Sequence, residues 1–313
     1  MTRTILPRGF TIVELLVVIG IVAVITALVL PAVHSSRESA RRVTCQNNLH
    51  QIAVATHSFE ASQKRLPSNG WGYRWMADPT RGVGRAQPGG WIFQIAAYAE
   101  FPIRPSGSDP ISSHLARTEL SQMVFPLMKC PSRASGLLTL ANASVAPYNS
   151  SYAALVPKTD YAANEGDFIT NTDGGPRSLS EGDSRSYAWT NTEKATGVIY
   201  LRSTLRFGEV TDGLSNVYLV GEKSVNPSHY ADGLDLGYDQ SIFTGVDLDL
   251  NRWTLTPPVR DGFRSTTRRF GSAHSAGCFM AQCDGSVRCI NLSIDPEAHR
   301  ALGNRSDGMP LSD

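Results

Sequence analysis

Between Phe10 and Leu30 the chain reads FTIVELLVVIGIVAVITALVL, 21 residues of which 17 are apolar and one, Glu14, is charged. At 1.5 Å per residue a helix of this length is about 31 Å long, close to the roughly 30 Å thickness of bilayer hydrocarbon. A single membrane-spanning helix is therefore predicted. A cleaved secretory signal has a shorter apolar stretch and a small-residue cut site after it. Here Pro31, Ala32 and Val33 lead into a polar, helix-like run, so the apolar segment is expected to stay on the chain. Glu14 needs a reason, because a carboxylate at the bilayer centre costs about 2.5–3.5 kcal/mol and less near the edge. Either it lies in the first helical turn, where the dipole favours an acid, or it meets a partner in the membrane.

The remaining chain is long enough for one large domain or two modest ones. Lys and Arg total 29 against 28 Asp and Glu. This balance lacks the broad basic face with which proteins collect nucleic-acid phosphates, so no nucleic-acid partner is expected. Arg3 and Arg8 stand in residues 1–9 without an acid, and the rest of the chain carries 27 basic against 28 acidic groups. Five cysteines, Cys45, Cys130, Cys278, Cys283 and Cys289, form no CxxC pair and no zinc spacing with a histidine.

The run Arg8-Gly9-Phe10-Thr11-Ile12-Val13-Glu14-Leu15-Leu16 resembles the type IV prepilin cleavage and methylation motif: a short basic leader ending in Gly, then Phe, with Glu fifth in the mature chain. The resemblance implies that a membrane-embedded prepilin peptidase cuts between Gly9 and Phe10 and methylates the new amine of Phe10. Membrane lipid and other pilin-like subunits are then the partners of the apolar helix. Glu14 acquires a partner in the Phe10 amine, either of a neighbouring subunit, which would set axial register in a fibre, or of its own chain one turn away. Pro31 becomes the twenty-second mature residue, where a stem kink or a plain interfacial proline both fit. Arg3 and Arg8 precede the segment while Arg37, Arg41 and Arg42 follow it, so the positive-inside count does not orient it. The prepilin resemblance places the N-terminus inside and the head in the periplasm or outside the cell, single-pass in the inner (cytoplasmic) membrane or in a surface filament.

From His34 to Lys64 there is no Gly or Pro, and Val43, Leu49, Ile52, Ala53, Thr56 and Phe59 recur at three- and four-residue steps. The helix is predicted to continue as an amphipathic stem, giving a spine of roughly 80 Å over residues 10 to about 62. The expected divisions are a leader at 1–9, an assembly helix at 10–33, a stem at 34–63 and a turn-rich, β-containing head at 64–313. The fold class is α+β and pilin-like, a long N-terminal helix packed on a mainly antiparallel sheet with long loops. Trp91–Tyr98 reads as a buried helix or strand, and 217–220, 278–283 and 287–292 as strands.

Cys278–Cys283, Asp284-Gly285 and Ser286–Ile290 predict a C-terminal hairpin, spanning 278–292, on a two-residue type I′ turn. In that register Cys283 opposes Ser286, Met280 opposes Cys289, and Cys278 shares the face of Cys289. A diagonal pair sits about 7–8 Å apart, too far for an unstrained disulfide, so all three are expected as free buried thiols. Cys45 on the stem and Cys130 in Met128-Lys-Cys-Pro-Ser132 are candidates for a disulfide tying head to stem, which an exported compartment permits.

The rest of the chain resembles the family known as domain of unknown function 1559. The matching blocks are Cys45-Gln-Asn-Asn-Leu-His-Gln-Ile52, Cys130-Pro-Ser132, Tyr161-Ala-Ala-Asn164, the run from Thr211 to Glu222, and a C-terminal signature of His274, nine residues, then Asp284-Gly285. Cys278 and Cys283 depart from the plain apolar or small residues usual there. The resemblance brings no activity with it. Asp284-Gly285 is explained by turn geometry, and His274 by a bond to a backbone group beside the hairpin, against a reading as a ligand or catalytic residue.

No nucleophile elbow, phosphate loop or paired-histidine metal motif occurs, so no catalytic residue and no cofactor are expected and the chain does not read as an enzyme. Asp232, Asp235 and Asp239, in a Gly-containing acidic stretch, are the candidate calcium ligands, against a reading as solvated turn residues. The sequence predicts a pilin-like structural protein of a type IV pilus-like or type II secretion pseudopilus-like assembly. The alternative is a membrane-anchored extracytoplasmic module in which Trp71, Tyr73, Trp75 and Trp189 meet a glycan, peptide or solute.

Overall fold

Thr11 begins the first helix for a reason visible in its own side chain. Its hydroxyl accepts a hydrogen bond from the Glu14 amide at 3.2 Å, while its amide and hydroxyl each donate to Glu14 Oε2 at 2.8 Å. This reciprocal capping box satisfies helix donors that would otherwise lack partners. The computed structural model describes residues 11–103, 109–133, 136–170, 172–262 and 267–309. Gly9 and Phe10, on either side of the expected cut, lie outside the described residues.

Helix α1 runs Ile12–Gln63 with Pro31 inside it. It ends at Lys64, whose φ of 55° is left-handed. The chain divides within this helix into two compact units, residues up to Val43 and residues from Thr44 onward. In the first unit the apolar side chains from Ile12 to Leu30 are exposed on every side of the helix. In the second, Cys45, Leu49, Ile52, Ala53, Thr56 and Phe59 are buried. Val43, expected on that face, is exposed and is the last residue of the first unit.

The head is organised by one five-stranded sheet. In chain order its strands are β1 (Tyr161–Asn164), β2 (Tyr218–Glu222), β3 (Asn251–Arg252), β4 (Cys278–Gln282) and β5 (Val287–Ile290). Their spatial order is β3-β1-β2-β4-β5, antiparallel except for the β1–β3 pair. Strand alternation sends Phe279 and Ala281 to a core shared with Leu49, Ile52 and Phe59 of α1. Cys278 and Met280 go to a second core with Tyr218, Phe270 and Leu302. The sheet is therefore apolar on both faces, as its fully buried strands β1, β2 and β4 require. Full burial of Leu49, Ile52 and Phe59 contributes about 1.5–3 kcal/mol each. Trp91–Ala96 is a buried helix.

The C-terminal hairpin forms with a different turn. Gln282, not Cys283, pairs with Ser286, its amide donating to the Ser286 carbonyl at 2.8 Å, and the Gly285 amide donates to the Gln282 carbonyl at 3.0 Å. The loop is thus three residues, Cys283-Asp284-Gly285, with Gly285 at φ +89°. A type I turn followed by a left-handed Gly is the usual three-residue solution. The extra residue moves the register to Cys278↔Ile290, Phe279↔Cys289 and Met280↔Arg288. A one-residue slip reverses every facing relation. Cys278 and Cys289 therefore point to opposite faces, and Cys289 is exposed rather than buried.

Candidate functional site

Two places carry chemistry. The first is the start of α1, where Glu14 is held in the capping box described above and is followed by a helix long and apolar enough to cross a membrane. The box supplies a local partner for Glu14 that periodicity alone did not indicate.

The second is a buried cluster in the head, assembled from four distant parts of the chain. Cys45 comes from α1, Cys130 from the turn after Pro126–Met128, Glu222 from the end of β2, and His274 from the turn before β4. One donor atom from each lies within 4.8 Å of the others. All four residues are at most 3% exposed. His274 Nε2 is 3.5 Å from Cys130 Sγ and 3.4 Å from Glu222 Oε1, and its Nδ1 is 3.3 Å from Ser132 Oγ. The Phe279 amide donates to Glu222 Oε2 at 2.9 Å. The Cys45 and Cys130 sulfurs, both free thiols, are 2.7 Å apart.

The surroundings of the two thiols separate their acidities. Hydrogen bonding from Cys45 outweighs burial and, with His274, lowers the Cys130 thiol to about 7. Cys45, hydrogen-bonded to Cys130 and desolvated, is pushed far up. Neighbouring contacts fix the frame. Asn48 donates to the Lys129 carbonyl at 3.0 Å and to the Tyr161 hydroxyl at 3.2 Å, and the Cys130 amide donates to Asp160 at 2.6 Å.

Of the two readings of His274, the ring's surroundings favour the ligand-like one: its nitrogens meet side chains of the cluster. Asp284 does keep the turn role, its carboxylate accepting from the Ser286 amide at 2.9 Å. The Gly285 carbonyl lies 3.1 Å from His50 Nδ1, which ties the turn to α1. Glu222 was the member that spacing missed. It closes the matching run that begins at Thr211, but no local pattern marks a glutamate 92 residues after Cys130 as its neighbour.

The expected calcium set is not gathered. Asp232 is half-buried and pairs with His229 at 2.7 Å, whereas Asp235 accepts from the Asn226 and Gly237 amides. Asp239 converges instead with Asp247 and Asp249. Of the aromatics, Trp71 and Trp75 are core residues, their rings 5.0 Å apart edge to face. Trp189 and Tyr187 line an open pocket with Arg85, Arg185 and Arg202, and the Arg202 guanidinium stands 4.0 Å over the Trp189 ring.

Residues 34–297 match the family described as "Protein of unknown function (DUF1559)". This chain belongs to that family. Residues 7–30 match the prokaryotic N-terminal methylation motif. The chain is also similar to the competence protein ComGC of Halalkalibacterium halodurans, 30% identical over 61 residues, which is 20% of this chain and 60% of that protein. No solved structure matches the chain. Taken with the long apolar helix and the mixed-sheet head, these matches make this DUF1559 chain a pilin-like structural protein.

Proposed function

We propose that this protein is cut by a prepilin peptidase between Gly9 and Phe10, is N-methylated on Phe10, and joins other pilin-like subunits through α1 in the cell envelope. The inner membrane holds the helix before assembly, with the head on the far side. The observation that carries this reading is the fully exposed apolar surface of α1 from Ile12 to Leu30, opened by a methylation motif. An apolar surface on every side of a helix is what lipid, or a bundle of like helices, covers. Within such a bundle Glu14 takes the Phe10 amine of a neighbour, exchanging its local capping bonds for a buried ion pair that fixes register.

Intact mass of the chain purified from its native envelope tests processing. The expected product begins at Phe10 and is one methyl group heavier than the bare chain. Replacing Gly9 by a bulky residue leaves the precursor uncut. Sheared surface fractions test assembly: Glu14→Ala should remain in the membrane and be absent from filaments.

A second reading rests on the Tyr187 and Trp189 pocket, whose aromatic wall and three arginines suit a glycan or an acidic peptide. In that reading α1 serves export and anchoring only. A Glu14→Ala chain with unchanged function would favour it.

A further inference from the structure

We propose that Cys45, Cys130, Glu222 and His274 form a closed zinc-type metal site that staples α1 to the sheet of the head. The donor set, two thiolates, an imidazole and a carboxylate, is one that a borderline-soft divalent ion takes in tetrahedral geometry. The spacing agrees on two measured edges. With metal–ligand bonds of about 2.0–2.3 Å, the edges of such a tetrahedron are about 3.4–3.6 Å for sulfur to nitrogen and nitrogen to oxygen. Cys130 Sγ to His274 Nε2 is 3.5 Å, and His274 Nε2 to Glu222 Oε1 is 3.4 Å. The sulfur pair, at 2.7 Å, must part by about 1 Å to reach its own edge.

The outer contacts are those that aim ligands at an ion. Ser132 Oγ at His274 Nδ1 leaves Nε2 facing the cluster. The Phe279 amide at Glu222 Oε2 leaves Oε1 facing it. Ligand orientation by such second contacts is general in metal sites. An open groove lined by Asn48, Lys129, Cys130, Pro131 and Arg133 lies beside the cluster.

The competing arrangement is a Cys45–Cys130 disulfide. It would join α1 to the Cys130 turn, but it would leave a carboxylate and an imidazole, 1% and 0% exposed, buried beside a neutral bond. Burying an ionised carboxylate is costly unless its charge is met; under a disulfide only the His274 imidazole, 3.4 Å away, could meet it, by taking up a proton, whereas a divalent cation meets it with His274 neutral. The metal also gives His274 a function in the signature that Asp284-Gly285 alone does not explain. The inference is independent of whether the chain polymerises.

The test uses the full chain purified in detergent from its native envelope without added reductant. Elemental analysis is expected to find one zinc per chain, and cobalt exchange to give thiolate-to-cobalt charge-transfer absorption. Cys130→Ser and His274→Gln should lose that absorption. Because either variant may unfold, Ser132→Ala, which leaves all four ligands in place, is the second measure: it should retain the fold and weaken zinc about 10–100-fold. Mass mapping of a Cys45–Cys130 disulfide in the isolated chain, or a reduced and folded chain that takes up neither zinc nor cobalt, overturns the proposal.

Discussion

Thr11 and Glu14 hold each other in a reciprocal capping box, so the carboxylate that most strongly marks this helix already has partners within one chain. Capping and intersubunit pairing can therefore be separated by substitution. Glu14→Gln keeps an oxygen that accepts from the Thr11 amide but removes the charge. It should preserve helix protection in hydrogen exchange and still fail to enter filaments. Thr11→Ala should cost about 1 kcal/mol of local stability, seen as faster exchange in the first turn, and still assemble. Assembly of Glu14→Gln at the wild-type level would reduce Glu14 to a cap.

Gly285 holds the hairpin loop at φ +89°. A Cβ there would make only ordinary van der Waals contacts, with His57 ring atoms at 3.8 Å and 3.9 Å. The cost of Gly285→Ala is thus backbone strain alone, about 1–2 kcal/mol. Gly285→Asn should cost less, because Asn tolerates the left-handed region, and Gly285→Val more. Thermal melts should place Gly285→Asn highest, Gly285→Ala next and Gly285→Val lowest, with a drop of about 2–4 °C per kcal/mol.

The N-terminal helix, the buried stem face and the strands β2, β4 and β5 were legible because each is a local repeat, whereas the short strands β1 and β3 were not read from the sequence. Leu49, Ile52, Thr56 and Phe59 keep helical spacing, and Cys278–Gln282 sits beside an Asp-Gly. The hairpin register was not legible at one-residue resolution. Asp284-Gly285 suits a two-residue turn, but Cys283 is fully buried and its amide donates to Val217 O at 2.8 Å, which draws it into the loop. The Cys45, Cys130, Glu222 and His274 cluster lay further out of reach. Its members are brought together by strand order and by α1 packing, neither of which spacing encodes.

Asp239 supplies a pH dependence. Burial, together with the carboxylates of Asp249 and Asp247, pushes it up to about 9 against the pull of the Asn142 amide, with Lys158 also nearby. Its unfolded value is about 3.9. The native state thus holds the proton more tightly, and stability from this group falls as pH rises from about 4 to about 9. Asp239→Asn keeps the Asn142 hydrogen bond and removes the charge. Its melting temperature should match wild type near pH 4 and exceed it at pH 8, by about 2–4 °C per kcal/mol relieved. An equally steep fall in the variant would show that Asp239 is not the source.

Arg133 is the strongest single polar test of the head. Its side chain is 1% exposed and bridges Asp261 at 2.8 Å and Asp160 at 3.0 Å while donating to the Lys223 carbonyl. Arg133→Met fills much of the volume but strands two buried carboxylates. Asp160 retains Lys129 at 3.9 Å and the Tyr238 hydroxyl at 2.7 Å, and Asp261 retains the Tyr230 hydroxyl at 2.6 Å. Removing one member of a buried ionic network costs about 3–5 kcal/mol, chiefly as uncompensated charge. Arg133→Lys should fall between, since an ammonium cannot reach both carboxylates and the carbonyl with a planar fork. Adding Asp261→Asn to Arg133→Met should recover part of the loss by removing one stranded charge. Denaturant melts of the full chain in detergent measure all three variants. A loss below about 1 kcal/mol for Arg133→Met would mean that water or a neighbouring cation replaces the guanidinium, and that the network does not hold the head together.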